Sequence, residues 1–106
     1  MSAPTAGIRD RERCDTLVLA ALAAAHSDGY EVLARLRDGT RRGRRPSTQQ
    51  VFSTLHRLHR NRLVARGTRD PRRYHLTATG SRVLISRTTA ADDFARELHA
   101  LQEIAP

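Results

Sequence analysis

Arginine is the residue type through which this sequence could bind another molecule. All 19 basic residues are Arg and there is no Lys. A guanidinium group forms planar, bidentate hydrogen bonds with phosphate and with the edge of guanine. Residues 35–75 contain thirteen Arg and two acids, a net charge of +11, whereas residues 1–34 carry −2 and residues 76–106 carry −1. Because the charge is concentrated in one segment, the sequence predicts a surface that binds a polyanion.

One predicted helix in this basic segment has an apolar face and a face that could read base pairs. Val51, Leu55 and Leu58 recur at i, i+4 and i+7, the spacing of a helix that packs on a core. Such a helix fits the major groove of B-DNA, where each base pair presents its own pattern of donors and acceptors. A solvated helix face is the alternative. The opposite face also carries His56, and the residues on it that are predicted to contact bases are Gln49, Gln50, Ser53 and Arg57.

A second group of residues is predicted to contact phosphate. It covers the loop before this helix, both helix ends and a hairpin that follows. Two alternatives stay open: the Arg-rich loop 40–46 is only a tether, and the Arg residues of the hairpin are only solvated. The members of the group are Arg41, Arg42, Arg44, Arg45, Thr48, Arg60, Arg69, Arg72 and Arg73.

The elements that position these residues follow from periodicity and capping signals. The predicted order is helix, helix, helix, hairpin and long helix. Asp28 is predicted to cap the second helix, which would bury Tyr30, Leu33, Ala34 and the stem of Arg37. A capping box of Ser47 and Gln50 opens the third helix, and Thr77 caps the last. The predicted helices cover residues 8 to about 25, 30–37, 47 to about 60 and 77 to about 103, and the strands cover 63–68 and 72–76.

The first helix is the most apolar element, since residues 17–25 are all Leu, Val or Ala. This run resembles the core of a secretory signal peptide. Signal peptides carry a positive region before the core, whereas here the preceding Arg residues are balanced by acids. We therefore favour a buried helix. Cys14, the only cysteine, is predicted to be a small buried residue rather than a redox switch, and a single cysteine is typical of a reducing compartment such as the cytoplasm.

The last helix carries a short heptad pattern that suits pairing with another helix. Arg87 interrupts it at one position. We predict that the apolar stripe forms the interface of a homodimer. Its residues are Leu84, Ala91, Phe94, Leu98 and Leu101.

Other chemistry is poorly supported by the sequence. His56 and His59 could place two imidazoles near one metal, but no Cys or acid lies close in sequence to complete the ligand set. Asp92 and Asp93 would point to different faces of a helix. We predict no enzyme activity, no metal and no cofactor. No apolar run reaches the roughly 18 residues of a membrane helix, so no membrane contact is predicted.

Three helices followed by a basic hairpin is the order of a winged helix-turn-helix, and the sequence resembles the PadR-like transcriptional regulators over about residues 14–101. The resemblance implies a DNA-binding regulator, in most members a homodimeric repressor whose C-terminal helix packs with the first helix. Some members bind phenolic acids or flat hydrophobic drugs in the dimer cavity, which implies a small aromatic or hydrophobic effector. The segments that carry the resemblance are 17–22, 28–31 (Asp-Gly-Tyr-Glu), 52–58 (Phe-Ser-Thr-Leu-His-Arg-Leu), 63–64 (Leu-Val) and 73–80 (Arg-Tyr-His-Leu-Thr-Ala-Thr-Gly).

The sequence departs from the family pattern at three single positions and in the loop 40–46, which is richer in Arg than usual. Phe52 stands where the family usually has Tyr, Ser53 replaces a usual Pro, and Arg62 stands where a Gly commonly precedes Leu-Val. Two of these positions lie in the helix predicted to read DNA, and the third follows it directly.

The predicted fold is mainly α with a small β-hairpin: a winged helix-turn-helix with a long C-terminal dimerisation helix. Residues 1–7 are predicted to be a flexible tail, 8–76 the DNA-binding domain and 77–106 the dimerisation helix. The predicted function is sequence-specific regulation of transcription in the cytoplasm. A basic RNA- or ribosome-associated protein is the main alternative, although the chain has only four aromatic residues, and readers of single-stranded RNA need aromatic stacking platforms. An adaptor whose last helix binds a different protein is the other.

Overall fold

The structure is a computed structural model that describes residues 4–40 and 45–104, with side chains from residue 11 onward. The order of elements along these residues is the predicted one. α1 begins at Pro4, before its predicted start at residue 8; proline is favoured at a first helical position, where its missing N–H costs no hydrogen bond. The elements are α1 Pro4–Ala24, α2 Gly29–Gly39, α3 Thr48–Arg60, β1 Val64–Arg66, β2 Tyr74–Leu76 and α4 Ala78–Ile104.

Capping side chains fix where three of the helices begin, as predicted. At α2 the Glu31 N–H donates to Asp28 and the Asp28 N–H donates to Glu31, both at 2.9 Å. At α3 the Gln50 N–H donates to Ser47 Oγ at 3.1 Å and the Ser47 N–H donates to Gln50 Oε1 at 2.8 Å. The Gly80 N–H donates to Thr77 Oγ1 at 3.0 Å and so caps α4. These bonds satisfy backbone donors that a helix leaves free in its first turn.

The core lies between α1, α2 and α3. Val18 and Leu19 of α1 and Val51 and Leu55 of α3 are fully buried, and Leu58 is nearly so. The predicted apolar face of α3 is therefore confirmed. α1 is a core helix, as the buried-helix interpretation requires.

The buried face of α2 differs from the prediction. Val32, Leu33 and Leu36 are buried, whereas Tyr30 is 70% exposed and Ala34 and Arg37, also predicted on the buried face, are exposed. The prediction that Tyr30 lies in the core was wrong. The neighbouring Gly29, rather than Tyr30, faces α3 at close range, since a Cβ on Gly29 would lie 2.4 Å from the Phe52 ring. Tyr30 instead packs edge-on against Phe52, with ring centroids 5.1 Å apart.

The hairpin is shorter than predicted, with three residues in each strand. Val64 pairs with Leu76 and Arg66 with Tyr74. The ladder ends because the Arg73 N–H turns back to the Asp70 carbonyl at 3.0 Å, which forms the predicted turn. On the other side of β2, Ser27 and Tyr74 exchange two backbone hydrogen bonds of 3.0 and 2.8 Å. The hairpin is thereby fastened to the connection between α1 and α2.

Among the residues with described side chains, those that attach α4 to the core lie in its first turns. Val83 and Leu84 pack against the core, and Arg87 Nη1 donates to Thr16 Oγ1 on α1 at 3.0 Å. All residues from 88 to 104 are exposed. The architecture is that of a winged helix-turn-helix with a long C-terminal helix, as predicted from the sequence.

Candidate nucleic-acid interface

The outward face of α3 is a continuous polar strip. The buried residues of this helix lie on one side, and Gln49, Ser53, His56 and Arg60 are exposed on the other. Glutamine, serine, histidine and arginine all offer hydrogen-bond donors at the ends of their side chains. Three of the four belong to the predicted base- or phosphate-contacting groups.

His56 was predicted to lie on this face of α3 but was not assigned a contact with DNA. The only role considered for it was that of a metal ligand together with His59. The helical period that places Ser53 on the outward face also places His56 there, so the signal was present in the sequence. His59 turns instead towards the hairpin, where its ring meets Tyr74 with centroids 6.3 Å apart.

Gln50 and Thr48 lie at the exposed beginning of α3. Gln50 uses its Oε1 in the capping box with Ser47, so only its amide N–H groups remain for another molecule. Thr48 is exposed in the first turn, where backbone N–H groups favour an anion such as phosphate.

Arg57 does not have the outward orientation that the sequence predicted. Its guanidinium forms an ion pair with Asp15 of α1, and Nη2 also lies 3.4 Å from Thr54 Oγ1. Arg57 lies beside α1 because successive helix residues advance by about 100°, which turns it away from His56. Contact between Arg57 and a base stays a prediction, and it would require this ion pair to open.

The hairpin presents Arg69, Arg72 and Arg73 at the surface. The side chain of Arg72 is 87% exposed, and its Nε lies 3.3 Å from the Asp70 carboxylate. Hydrogen bonds from the Arg72 backbone N–H and then from its guanidinium lower the pKa of Asp70 below its ordinary value. The charged Asp70 stabilises the turn and leaves most of the Arg72 guanidinium free for an anion.

Arg73 fastens the hairpin to α2. Its guanidinium donates to the Glu31 carboxylate at 3.2 Å and to the His26 carbonyl at 3.3 Å. His26 and His75 stack beside this contact, with ring centroids 4.9 Å apart. The predicted phosphate contact of Arg73 must therefore share the guanidinium with an internal contact.

The Arg-rich loop before α3 is described only in part. Arg45 is exposed. Arg41, Arg42 and Arg44 lie outside the described residues, so their predicted contacts with phosphate stay predictions.

The predicted interface residues on α4 form an exposed apolar stripe. Leu84 is half-buried against the core. Phe94, Leu98 and Leu101 are 61%, 44% and 65% exposed, and Ala91 is also exposed. Large apolar side chains in a row along one helix are unusual on the surface of a monomer.

Other reactive groups in the described structure do not form a site. Cys14 is buried, as predicted, and burial raises the pKa of its thiol, although a hydrogen bond with Thr54 opposes the shift. Among the residues with described side chains, no three His, Cys, Asp or Glu groups come together as metal ligands. No helix in the described ranges is long and apolar enough to cross a membrane.

Comparison with known proteins identifies a similarity to a family of regulators. The family model described as the PadR-like family of transcriptional regulators matches residues 18–86. This match begins in α1 and includes α2, α3, the hairpin and the first turns of α4. No curated protein matches the chain.

Proposed function

The chain belongs to the PadR-like family of transcriptional regulators, and we propose that it acts as a repressor by binding double-stranded DNA as a homodimer. One observation carries the proposal: the exposed polar face of α3 and the exposed Arg residues of the hairpin lie within a single basic segment, residues 35–75. We assign no catalytic role, since PadR-like proteins are regulators. DNA binding requires a location with the DNA, so we propose the cytoplasm.

In this proposal α3 enters the major groove. Gln49, Gln50 and Ser53 are the proposed base contacts, with His56 added from the structure. Gln49 can pair with adenine through two hydrogen bonds, the free amide N–H groups of Gln50 can donate to a base, serine is adaptable, and imidazole donates to a base or phosphate acceptor. The buried face of α3 holds the helix on the core, while the side chains of its polar face contact the edges of the bases.

The hairpin and the helix ends bind the DNA backbone. Arg72 and Arg69 are the most accessible hairpin contacts, and Arg73 adds a charge that also fastens the hairpin to α2. Phosphate contacts fix the register of the protein on the duplex and supply affinity that depends on salt. The remaining proposed phosphate contacts are Arg41, Arg42, Arg44, Arg45, Thr48 and Arg60.

A second copy of the chain is the proposed partner of α4. Pairing about a two-fold axis would cover both stripes formed by Ala91, Phe94, Leu98 and Leu101, with Leu84 at their beginning. It would also present two copies of α3 to successive turns of one duplex. A small aromatic or hydrophobic effector that enters between the copies would regulate binding.

Competition between nucleic acids tests this function. A duplex is first selected from a random DNA pool by the purified chain, and RNA hairpins and duplex DNA of equal length then compete for binding. We expect the selected duplex to compete best, and its protected bases to form two half-sites about 10 base pairs apart. Stronger competition by RNA would support a role on RNA instead, and no selected sequence would contradict specific regulation.

A further inference from the structure

The proposed function leaves one polar contact between α1 and α3 unexplained. Cys14 Sγ lies 3.2 Å from Thr54 Oγ1. One turn further along α3, Arg57 Nη2 donates to the Asp15 carboxylate and lies 3.4 Å from the same Thr54 oxygen. These four side chains, here called the α1–α3 polar contact, connect two consecutive residues of α1 with two residues of α3 one turn apart.

The α1–α3 polar contact is largely shielded from water. Thr54 is buried, and the side chains of Arg57 and Asp15 are only 23% and 16% exposed. Arg57 Nε has no hydrogen-bond partner among the described residues, so the guanidinium has lost hydration on its inner side and depends on its Nη contacts. If Arg57 turned to DNA, Asp15 would remain shielded and without its partner, which is strongly unfavourable for a carboxylate.

The contact also lies where it can set the orientation of α3. The apolar residues Val51, Leu55 and Leu58 are buried on the inner face of α3, and the hydrophobic effect that holds them there is non-directional. A hydrogen-bonded ion pair at the flank is directional and resists a roll of the helix. The outward residues Gln49 and Ser53 lie on the same helix, so any roll of α3 would move both of them relative to a base pair.

We propose that Arg57 is a positioning residue for DNA recognition. Its ion pair with Asp15 fixes the rotation of α3 against α1, and Arg57 itself does not contact a base. The inference rests on the proposed DNA-binding function. It replaces a base-reading role for Arg57 with an indirect one, and it makes Asp15, an acidic residue of α1, necessary for sequence recognition.

A double-mutant cycle on the full chain tests this. The variants are Asp15→Asn, Arg57→Gln and the two combined. Each is titrated against the duplex selected by the unchanged chain and against a scrambled duplex of equal length and composition. Asp93→Asn on α4 is the matched control, because it removes the same charge from an exposed ion pair with Arg96. Circular dichroism confirms that each variant is folded under the conditions of the titration.

We expect Asp15→Asn to lower the affinity for the selected duplex by roughly 5- to 30-fold, with a much smaller change on the scrambled duplex. This direction is opposite to simple electrostatics, since removing a negative charge should strengthen binding to DNA. The combined variant should bind no worse than the weaker single variant, because both substitutions break one contact. The ratio of the affinities for the two duplexes is measured on folded protein, so a change in the stability of the protein alone would not alter this ratio.

Several outcomes would overturn the inference. If Asp15→Asn binds the selected duplex as tightly as or more tightly than the unchanged chain, Arg57 is free to act elsewhere. If Arg57→Gln loses discrimination at one base pair and Asp15→Asn does not, Arg57 contacts a base. Should Asp15→Asn fail to fold, Asp15→Glu takes its place, because it keeps the charge but displaces it. We then expect a smaller loss in the ratio of affinities for the selected and the scrambled duplex. An unchanged ratio would contradict the proposal. If the unchanged chain selects no duplex, the proposed function fails and this inference fails with it.

Discussion

Gly80 decides at the scale of a single residue how closely α4 approaches the core. It is buried in the first turn of α4, and a Cβ there would lie 2.0 Å from the Leu63 carbonyl oxygen. Thr77, which caps α4, binds the loop that contains Leu63. Its Oγ1 donates to the Arg62 carbonyl at 2.8 Å and its N–H donates to the Leu63 carbonyl at 3.1 Å. Glycine at position 80 therefore permits a backbone contact rather than weakening a helix.

We expect Gly80→Ala to destabilise the protein by about 1–3 kcal/mol, because the added methyl group must displace backbone. Helix propensity alone predicts the opposite, a gain of roughly 1 kcal/mol for alanine over glycine. Gly39→Ala is the control, since nothing lies within 4 Å of its added Cβ. Urea denaturation of both variants measures the difference. A stable Gly80→Ala protein would mean that α4 does not sit on the Leu63 loop.

Arg62 is strained by the way α3 ends. Its φ is 63°, in the left-handed region that favours glycine. The Leu63 N–H bonds to the Leu58 carbonyl at 2.9 Å and the Arg62 N–H to the His59 carbonyl at 3.0 Å, the two bonds of a Schellman motif. This is the position at which the family resemblance implies a glycine.

Arg62→Gly is expected to stabilise the protein by about 0.5–1 kcal/mol. The left-handed conformation costs a non-glycine residue roughly 1–2 kcal/mol, and the greater freedom of glycine in the unfolded chain offsets about half of this. Thermal or urea unfolding checks the sign. A loss of stability would show that the Arg62 side chain makes a contact more valuable than the strain it causes.

At the scale of elements, the starts of α2, α3 and α4 could be predicted because they depend on neighbouring residues. Ser47 and Gln50, or Asp28 and Glu31, meet within one turn whatever the rest of the chain does. The exposure of Tyr30 and the ion pair of Arg57 depend on contacts between helices that are distant in sequence. Periodicity gives the face of a helix to within about one residue, which is too coarse to decide whether Arg57 points to solvent or to Asp15.

The hairpin is the element whose contribution to DNA binding can be separated from that of α3. We expect Arg72→Ala to weaken binding to the selected and the scrambled duplex equally. The slope of log affinity against log salt concentration should fall by about 1, the contribution of one phosphate contact. Arg96→Ala is the control, because Arg96 is also exposed and also lies 3.3 Å from an aspartate. Titrations at several salt concentrations measure both effects. Loss of discrimination between the two duplexes would instead assign Arg72 to base recognition.

At the scale of the whole molecule, the length of α4 argues for assembly. The helix continues to Ile104 although its contacts with the core lie in its first turns. The sequence predicts the apolar stripe, and its residues Phe94, Leu98 and Leu101 are exposed in the single chain. Arg87 interrupts the heptad pattern of α4 because it contacts Thr16 of α1, so this position faces the core of the same chain.

Leu98→Asp is expected to make the protein monomeric while its helix content stays largely unchanged. Burying a carboxylate at the seam would weaken the dimer by roughly 3 kcal/mol or more, about 100-fold or more in its dissociation constant. Ile85→Asp is the control, since Ile85 is 65% exposed and lies outside the heptad stripe. Light scattering and circular dichroism on the same samples measure both properties. A dimeric Leu98→Asp protein would show that the interface lies elsewhere.

The dependence of DNA affinity on salt tests the central claim most directly, because it measures how many phosphates the Arg-rich surface neutralises. For roughly 6–10 phosphate contacts, the affinity for the selected duplex should fall about 10³- to 10⁵-fold between about 50 and 200 mM salt. The logarithm of the affinity should fall linearly with the logarithm of the salt concentration. An affinity that hardly changes over this range would contradict a DNA interface built from the Arg residues of the hairpin and α3.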